Sequence, residues 1–94
     1  MKILGRDKLI QFSRKHAHAK KALDAWFDEV EQSAWRRPQD IKASYPSADF
    51  LADNRVIFNI KGNHYRLVVK VRYQNGLVVI EWVGTHAAYD KQNF

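Results

Sequence analysis

The stretch from Asn54 to His86, NRVIFNIKGNHYRLVVKVRYQNGLVVIEWVGTH, most narrowly limits what this chain can fold into. Three runs rich in Val, Ile, Phe and Tyr are separated by Gly62-Asn63 and Asn75-Gly76, which both read as hairpin turns. Taking each as a two-residue turn places Phe58 opposite Leu67 and Ile60 opposite Tyr65. It likewise places Tyr73 opposite Val78, Val71 opposite Ile80 and Val69 opposite Trp82, so one face of the meander is apolar. The other face receives Arg55, Ile57, Asn59, Lys61, His64, Arg66, Val68, Lys70, Arg72, Val79, Glu81 and Val83. Lys70 then faces Glu81, a cross-strand pair worth about 0.2–1 kcal/mol. A slip of one residue would bury the cations, so the pattern resists it. Such a sheet packs on helices with one side and holds something anionic with the other.

The residues upstream supply the helices. Lys2 to Leu4 reads as a short strand stopped by Gly5, and Asp7 is placed to cap a first helix that runs to about Lys15. Ala19, Leu23, Trp26 and Val30 recur at steps of three and four, which predicts an amphipathic helix from Ala19 to Trp35. Its outer residues, Lys20, Lys21, Asp24, Asp28, Glu29 and Glu31, are of mixed charge and suit solvent. Pro38 ends that helix. Gln39 to Asn54 shows neither period and reads as a connecting loop, anchored by Tyr45, Phe50 and Leu51 or else serving in binding. The expected class is α+β: a short N-terminal strand, two helices, a three-stranded antiparallel meander packed on them, and a short C-terminal helix or turn.

A chain of 94 residues with 46% hydrophobic content supports a single domain, 1–94. Its 16 Lys and Arg against 10 Asp and Glu give a net charge of +6, which favours nucleic acid, anionic lipid or an acidic protein as partner. Cysteine is absent, which excludes disulfides and thiolate metal sites. No run approaches the roughly 20 apolar residues of a membrane span, and no signal peptide is expected, so the simple location is cytoplasmic, with no membrane partner. There is no Gly-rich phosphate loop, no HExxH helix and no nucleophile elbow. Neither a metal nor another cofactor is expected.

An arginine on a rigid strand can grip phosphate with two directed hydrogen bonds, and Arg66, beside Asn59 in this register, is the best placed. Cleaving RNA through its own 2′-hydroxyl needs a base, an acid and charge stabilisation, with no metal required. Histidine suits the proton transfers. His16 and His18 sit between helices and read as solvated or capping; His64 adjoins a turn. His86 follows the third strand, where a side chain can face a site built on the sheet.

The order of elements, with DNRVIFNIKGNHYRLVVKV and then VIEWVGTHAAYDK, resembles the HigB toxins, a branch of the RelE-like mRNA interferases, over nearly the whole chain. FNIKGNHYRL and GTHAAYD carry the strongest local likeness. The resemblance implies a RelE-like fold and the toxin of a type II toxin-antitoxin pair, an endoribonuclease cutting mRNA on the ribosome. It also implies a HigA-like helix-turn-helix antitoxin, through which alone operator DNA would be met. Arg66 matches the phosphate-binding arginine of the YRL motif, His86 stands where relatives carry a catalytic arginine or histidine, and Tyr89 corresponds to their C-terminal tyrosine. Relatives carry lysines where this chain has Ile57 and Asn59, so Lys61 becomes the candidate for charge stabilisation, and His86 could be acid or base. Arg55, Asn59, His64, Arg72 and Tyr89 are the expected substrate contacts. The alternative is a non-catalytic module that holds RNA or an acidic protein on the same face; a third is a structural subunit with that face covered.

Overall fold

Strict alternation in the second long run, with Tyr65, Leu67, Val69 and Val71 on one side and Arg66, Lys70 and Arg72 on the other, determines how the layers stack. The computed structural model describes residues 1–94. Its strands are β1 (Lys2–Leu4), β2 (Asp49–Leu51), β3 (Arg55–Ile60), β4 (Tyr65–Arg72) and β5 (Leu77–Thr85). They form one sheet in the order β1-β5-β4-β3-β2, antiparallel except where β1 joins β5. The helices are α1 (Arg6–Lys15), α2 (Lys20–Glu31), α3 (Pro38–Ser44) and the short α4 (His86–Tyr89). The first three cover one side of the sheet. Leu9, Leu23, Trp26, Phe27, Val30 and Ile41 meet Val56, Phe58, Ile60, Leu67, Val69, Val71, Val78 and Ile80 in one buried cluster. The observed class is the expected α+β arrangement, with the N-terminal strand joined to the sheet as one edge and β2 and α3 added.

Several local expectations are corrected. Asp7 is not a cap: it lies in the first turn of α1, and the N-cap is Gly5, at φ 94°. A side chain at position 5 would put its Cβ 3.0 Å from the Ile80 carbonyl oxygen, so this entry to α1 favours glycine twice over. The second helix is shorter than its apolar spacing implied. α2 stops at Glu31, and Trp35 is buried beyond it against Phe58 and Tyr45. Its burial mimicked one more helical step.

The segment expected to be a loop contains α3 and β2. Pro38 occupies the first turn of α3, where its missing N–H is harmless, and the Arg36 amide donates to Asp40 Oδ2 at 2.9 Å. Of the proposed anchors, Tyr45 packs on the core, whereas Phe50 is 40% exposed. The Tyr45 hydroxyl donates to Glu29 Oε2 at 3.0 Å, and burial together with that carboxylate holds its phenol well above the ordinary tyrosine range.

The β3–β4 register is the expected one, with Phe58 opposite Leu67, Asn59 opposite Arg66 and Ile60 opposite Tyr65. The β4–β5 register is not. Asn75-Gly76 does not form a two-residue turn. Tyr73–Asn75 makes a 3₁₀ turn, Gly76 alone takes positive φ, and Arg72 pairs with Leu77. Val71 therefore faces Val78, Val69 faces Ile80, and Lys70 faces Val79 rather than Glu81. A bulge follows: Val68 pairs with Trp82, leaving Glu81 as the extra residue on β5. Beyond it the faces of β5 exchange. Val83 packs on the core, and Trp82, expected inside, lies on the open face.

Candidate active site

The open face is built in cross-strand rows. Asn59, Arg66 and Gly84 form one row; Ile57, Val68 and Trp82 the next; Arg55, Lys70 and Val79 the third. Ile57 and Val68 are 3% and 0% exposed, so an apolar belt separates two polar regions. Arg55 is four residues along the strand from Asn59, about 13 Å, and Arg72 is six from Arg66, about 20 Å. The expected contacts thus divide. Arg66, Asn59, Lys61, His64, His86 and Tyr89 gather at one end of the sheet, while Arg55 and Arg72 belong to the other.

Arg66 is the best-held cation of the gathered group. Its Nη1 donates to Asn59 Oδ1, and the Asn59 amide in turn donates to the Ser47 carbonyl at 3.3 Å. Its guanidinium carbon lies 5.2 Å from the centre of the Tyr89 ring, a cation–π contact that fixes the plane of the fork. Arg66 Nε is buried and makes no hydrogen bond. An unpaired buried donor costs about 1–3 kcal/mol, and a phosphate oxygen arriving in the guanidinium plane would satisfy it.

The four histidines are held in different ways, and His16, expected to be solvated or capping, is half-buried with no side-chain cap bond. His64 Nδ1 lies 2.8 Å from the Lys61 carbonyl oxygen, so its ring is tied to the β3–β4 turn. The His64 carbonyl accepts from the His86 amide at 3.1 Å, which brings the two backbones together at the sheet end. His86 opens α4, capped by Thr85 Oγ1 accepting from the Ala88 amide, and its Nδ1 lies 3.5 Å from Asp90. That carboxylate can orient the ring while leaving Nε2 for proton transfer. Lys61 sits in the turn at φ 52°, exposed and without an ion pair. His16 stacks on Phe12 at 4.3 Å, and His18 is exposed; neither joins the group.

The shift in β5 also changes the charge pattern. Arg55 lies opposite Lys70, a repulsive placement, and the bulged Glu81 reaches across β4 to stand 3.3 Å from Arg55 Nε. The only carboxylate expected on the basic face is thus engaged with Arg55, not Lys70. Arg55, expected as a substrate contact, is thus held in an ion pair.

Trp82 is the residue that periodicity misassigned. Its ring packs beside Tyr89 and Phe94, with centroids 6.0 and 5.8 Å away. The ring also lies across Gly84, where a Cβ would stand 2.5 Å from its Cζ2. Gly84→Ala is expected to push Trp82 off this seat, cost about 1–3 kcal/mol as overpacking does, and disturb the Tyr89 support of Arg66. Thermal unfolding and tryptophan fluorescence check this; an unchanged spectrum and midpoint would contradict it. Tyr89→Phe should preserve activity because the ring carries the contact with Arg66, whereas Tyr89→Ala should lower it by roughly tenfold. A large loss in the phenylalanine variant would assign the work to the hydroxyl instead.

No three His, Cys, Asp or Glu side chains come together as a metal site would require, and no helix is long and apolar enough to cross a membrane. What the fold and site define is a small α+β protein with a half-buried arginine, one donor unpaired, held at the end of an open sheet face. Residues 19–92 match the family HigB_toxin, described as the RelE-like toxic component of a toxin-antitoxin system, and the chain belongs to that family. It is 28% identical over 92 residues to the mRNA interferase toxin HigB of Escherichia coli K12, covering 96% of this chain and 88% of that one. The mRNA interferase HigB proteins of Escherichia coli O157:H7 and Shigella flexneri are similar to the same degree.

Proposed function

We propose that this toxin is an mRNA endoribonuclease whose site is the Asn59–Arg66–Gly84 row together with His86 and Tyr89. The observation that carries the reading is the state of Arg66: positioned by Asn59 and Tyr89, partly buried, with one donor unpaired. The relatives named mRNA interferases support RNA as the substrate. In the proposed reaction a base removes the proton from the ribose 2′-oxygen, which attacks the adjacent phosphorus. The P–O5′ bond breaks, and the departing 5′-oxygen takes up a proton. Arg66 stabilises the charge that gathers on the phosphorane oxygens, with Lys61 adding a second cation. His86 performs one of the two proton transfers. Asn59 holds Arg66, Tyr89 supports it, and His64 lies where the flanking nucleotide would pass. A helix-turn-helix antitoxin of the HigA kind, cleavage on the ribosome, and contact with operator DNA only through the antitoxin complete the reading, in the cytoplasm.

Expression without antitoxin in a bacterial host, followed by mapping of mRNA 5′ ends, tests this. Growth arrest with new 5′-hydroxyl ends is the expected result. Intact mRNA, both in cells and with purified translating ribosomes, would sink the nuclease reading and leave a module that only binds.

A further inference from the structure

α1 and β5 enclose a groove that the proposed site does not use. β1 pairs with β5 only at Leu77–Val79, so the outer edge of β5 beyond that point has no strand beside it, and α1 stands there instead. The groove between them measures about 660 Å³. Lys8, Gln11 and Lys15 recur at helical spacing along its α1 wall, Arg14 joins them, and Glu81 and Trp82 contribute the β5 wall. The one acidic group in this lining is Glu81, and its carboxylate is engaged by Arg55. Lys8 Nζ donates to the Glu81 carbonyl at 3.4 Å, which draws the cation toward the strand edge. Lys8, Arg14 and Lys15 are exposed on the outer side of α1, and the topology turns them toward a groove.

Continuity decides what such a groove would hold. Trp82 lies in the row next to Arg66 and packs over Gly84, the direct β5 neighbour of Arg66, while also lining the groove. A strand of RNA leaving the Arg66 site across β5 therefore passes Trp82 and enters between β5 and α1. An aromatic ring followed by cations is how single-stranded nucleic acid is tracked without reading sequence. Lys8 to Lys15 spans about 10 Å of helix, room for on the order of one or two nucleotides. The geometry points to the α1–β5 groove as a second RNA subsite, one that holds the single strand flanking the scissile phosphate by its backbone. This inference rests on the proposed nuclease site and extends it. An acidic peptide adding to the free edge of β5 is the competing occupant; it would meet the cations equally well but has no reason to share Trp82 with the row of Arg66.

The test uses the full chain and its K8Q/R14Q/K15Q variant, whose substitutions are all at exposed positions. Two single-stranded RNAs, made uncleavable by 2′-O-methylation, serve as probes: a trinucleotide that fills the cleavage site alone, and a longer strand of about twelve nucleotides. The variant is expected to lose about tenfold or more in affinity for the longer RNA. Its dependence of log K on log salt should flatten by about 1.4, the share of two phosphate contacts in a single strand. Affinity for the trinucleotide should not change. If the longer RNA binds the variant within about twofold of wild type, the subsite is overturned. If that happens while co-purification with the antitoxin is lost, the groove is a protein surface. If wild type itself holds neither probe, alone or in the presence of ribosomes, the proposed cleavage site fails, and the subsite with it.

Discussion

Replacing Arg66 with alanine is expected to slow RNA cleavage by roughly 10²–10³-fold, the cost of removing a donor aimed at charge that develops in the transition state. The fold should survive. Arg66 is only partly buried and lies outside the core cluster, and its hydrogen bond to Asn59 and contact with Tyr89 are offset by an Nε buried without a hydrogen bond, so the net contribution of the side chain to stability is small. Deleting an unsatisfied donor even offsets part of the packing lost with its stem. The expected pair of results is a large fall in cleavage and a change in unfolding free energy within about 1 kcal/mol. A loss of several kcal/mol would instead make Arg66 a structural residue and remove the main support of the site.

Two further substitutions separate charge from geometry. Arg66→Lys keeps the charge but loses the planar fork, so it should recover only part of the rate. Asn59→Ala keeps the fork but frees it, since Asn59 Oδ1 is the acceptor that orients Nη1. A loss of about tenfold, smaller than that of Arg66→Ala, is the expected consequence of a positioning partner. If Asn59→Ala matched Arg66→Ala in effect, the amide itself would have to touch substrate.

The β3–β4 half of this site was legible in the sequence because its two strands mark their faces chemically. Cations at Arg66, Lys70 and Arg72 occupy one parity of β4, and any slip buries them, so Asn59 beside Arg66 follows from the pattern. β5 carries no such mark. In LVVIEWVGT apolar residues fall on both parities, and a bulge at Glu81 exchanges the faces without breaking any visible alternation. That is why Trp82 was assigned to the core and Glu81 to Lys70. The turn misled in a similar way: Asn-Gly is the strongest two-residue signal, yet Asn75 stays in a 3₁₀ turn and only Gly76 takes positive φ. Nothing in the chain at large announces the parallel seat of β1 beside β5, which depends on a long-range contact. α3, seven residues long, is too short for period 3.6 to register. The α1–β5 groove exists only because β1 is short, so it too lay beyond sequence reading.

Phe58→Ala is expected to produce the largest loss of stability of any single substitution considered, about 3–5 kcal/mol. Phe58 is 1% exposed, and its ring is shared among three others: Tyr45 at 5.0 Å, Trp26 at 5.4 Å and Trp35 at 6.1 Å between centroids. Those partners come from α2, from the turn after it, and from the chain end of α3. Removing the ring therefore unseats three segments that reach the sheet from different directions, and none can collapse into the space without withdrawing from another. A domain of this size has about 5–15 kcal/mol in total, so the midpoint should fall by roughly 15–30 °C. The contrast lies one residue away. Ile57 is nearly as buried, at 3%, but sits on the open face in the belt with Val68 and Trp82, outside the main cluster. Ile57→Val should cost only about 0.5–1.5 kcal/mol, a step that trims the belt without opening the core. Comparable losses in the two variants would mean that the sheet is stabilised equally from both faces, and the open face would then have too firm a packing to serve as an exposed platform. Thermal and urea unfolding of both variants measure this directly, and a separate assay at a temperature where Phe58→Ala stays folded tells lost structure from lost chemistry.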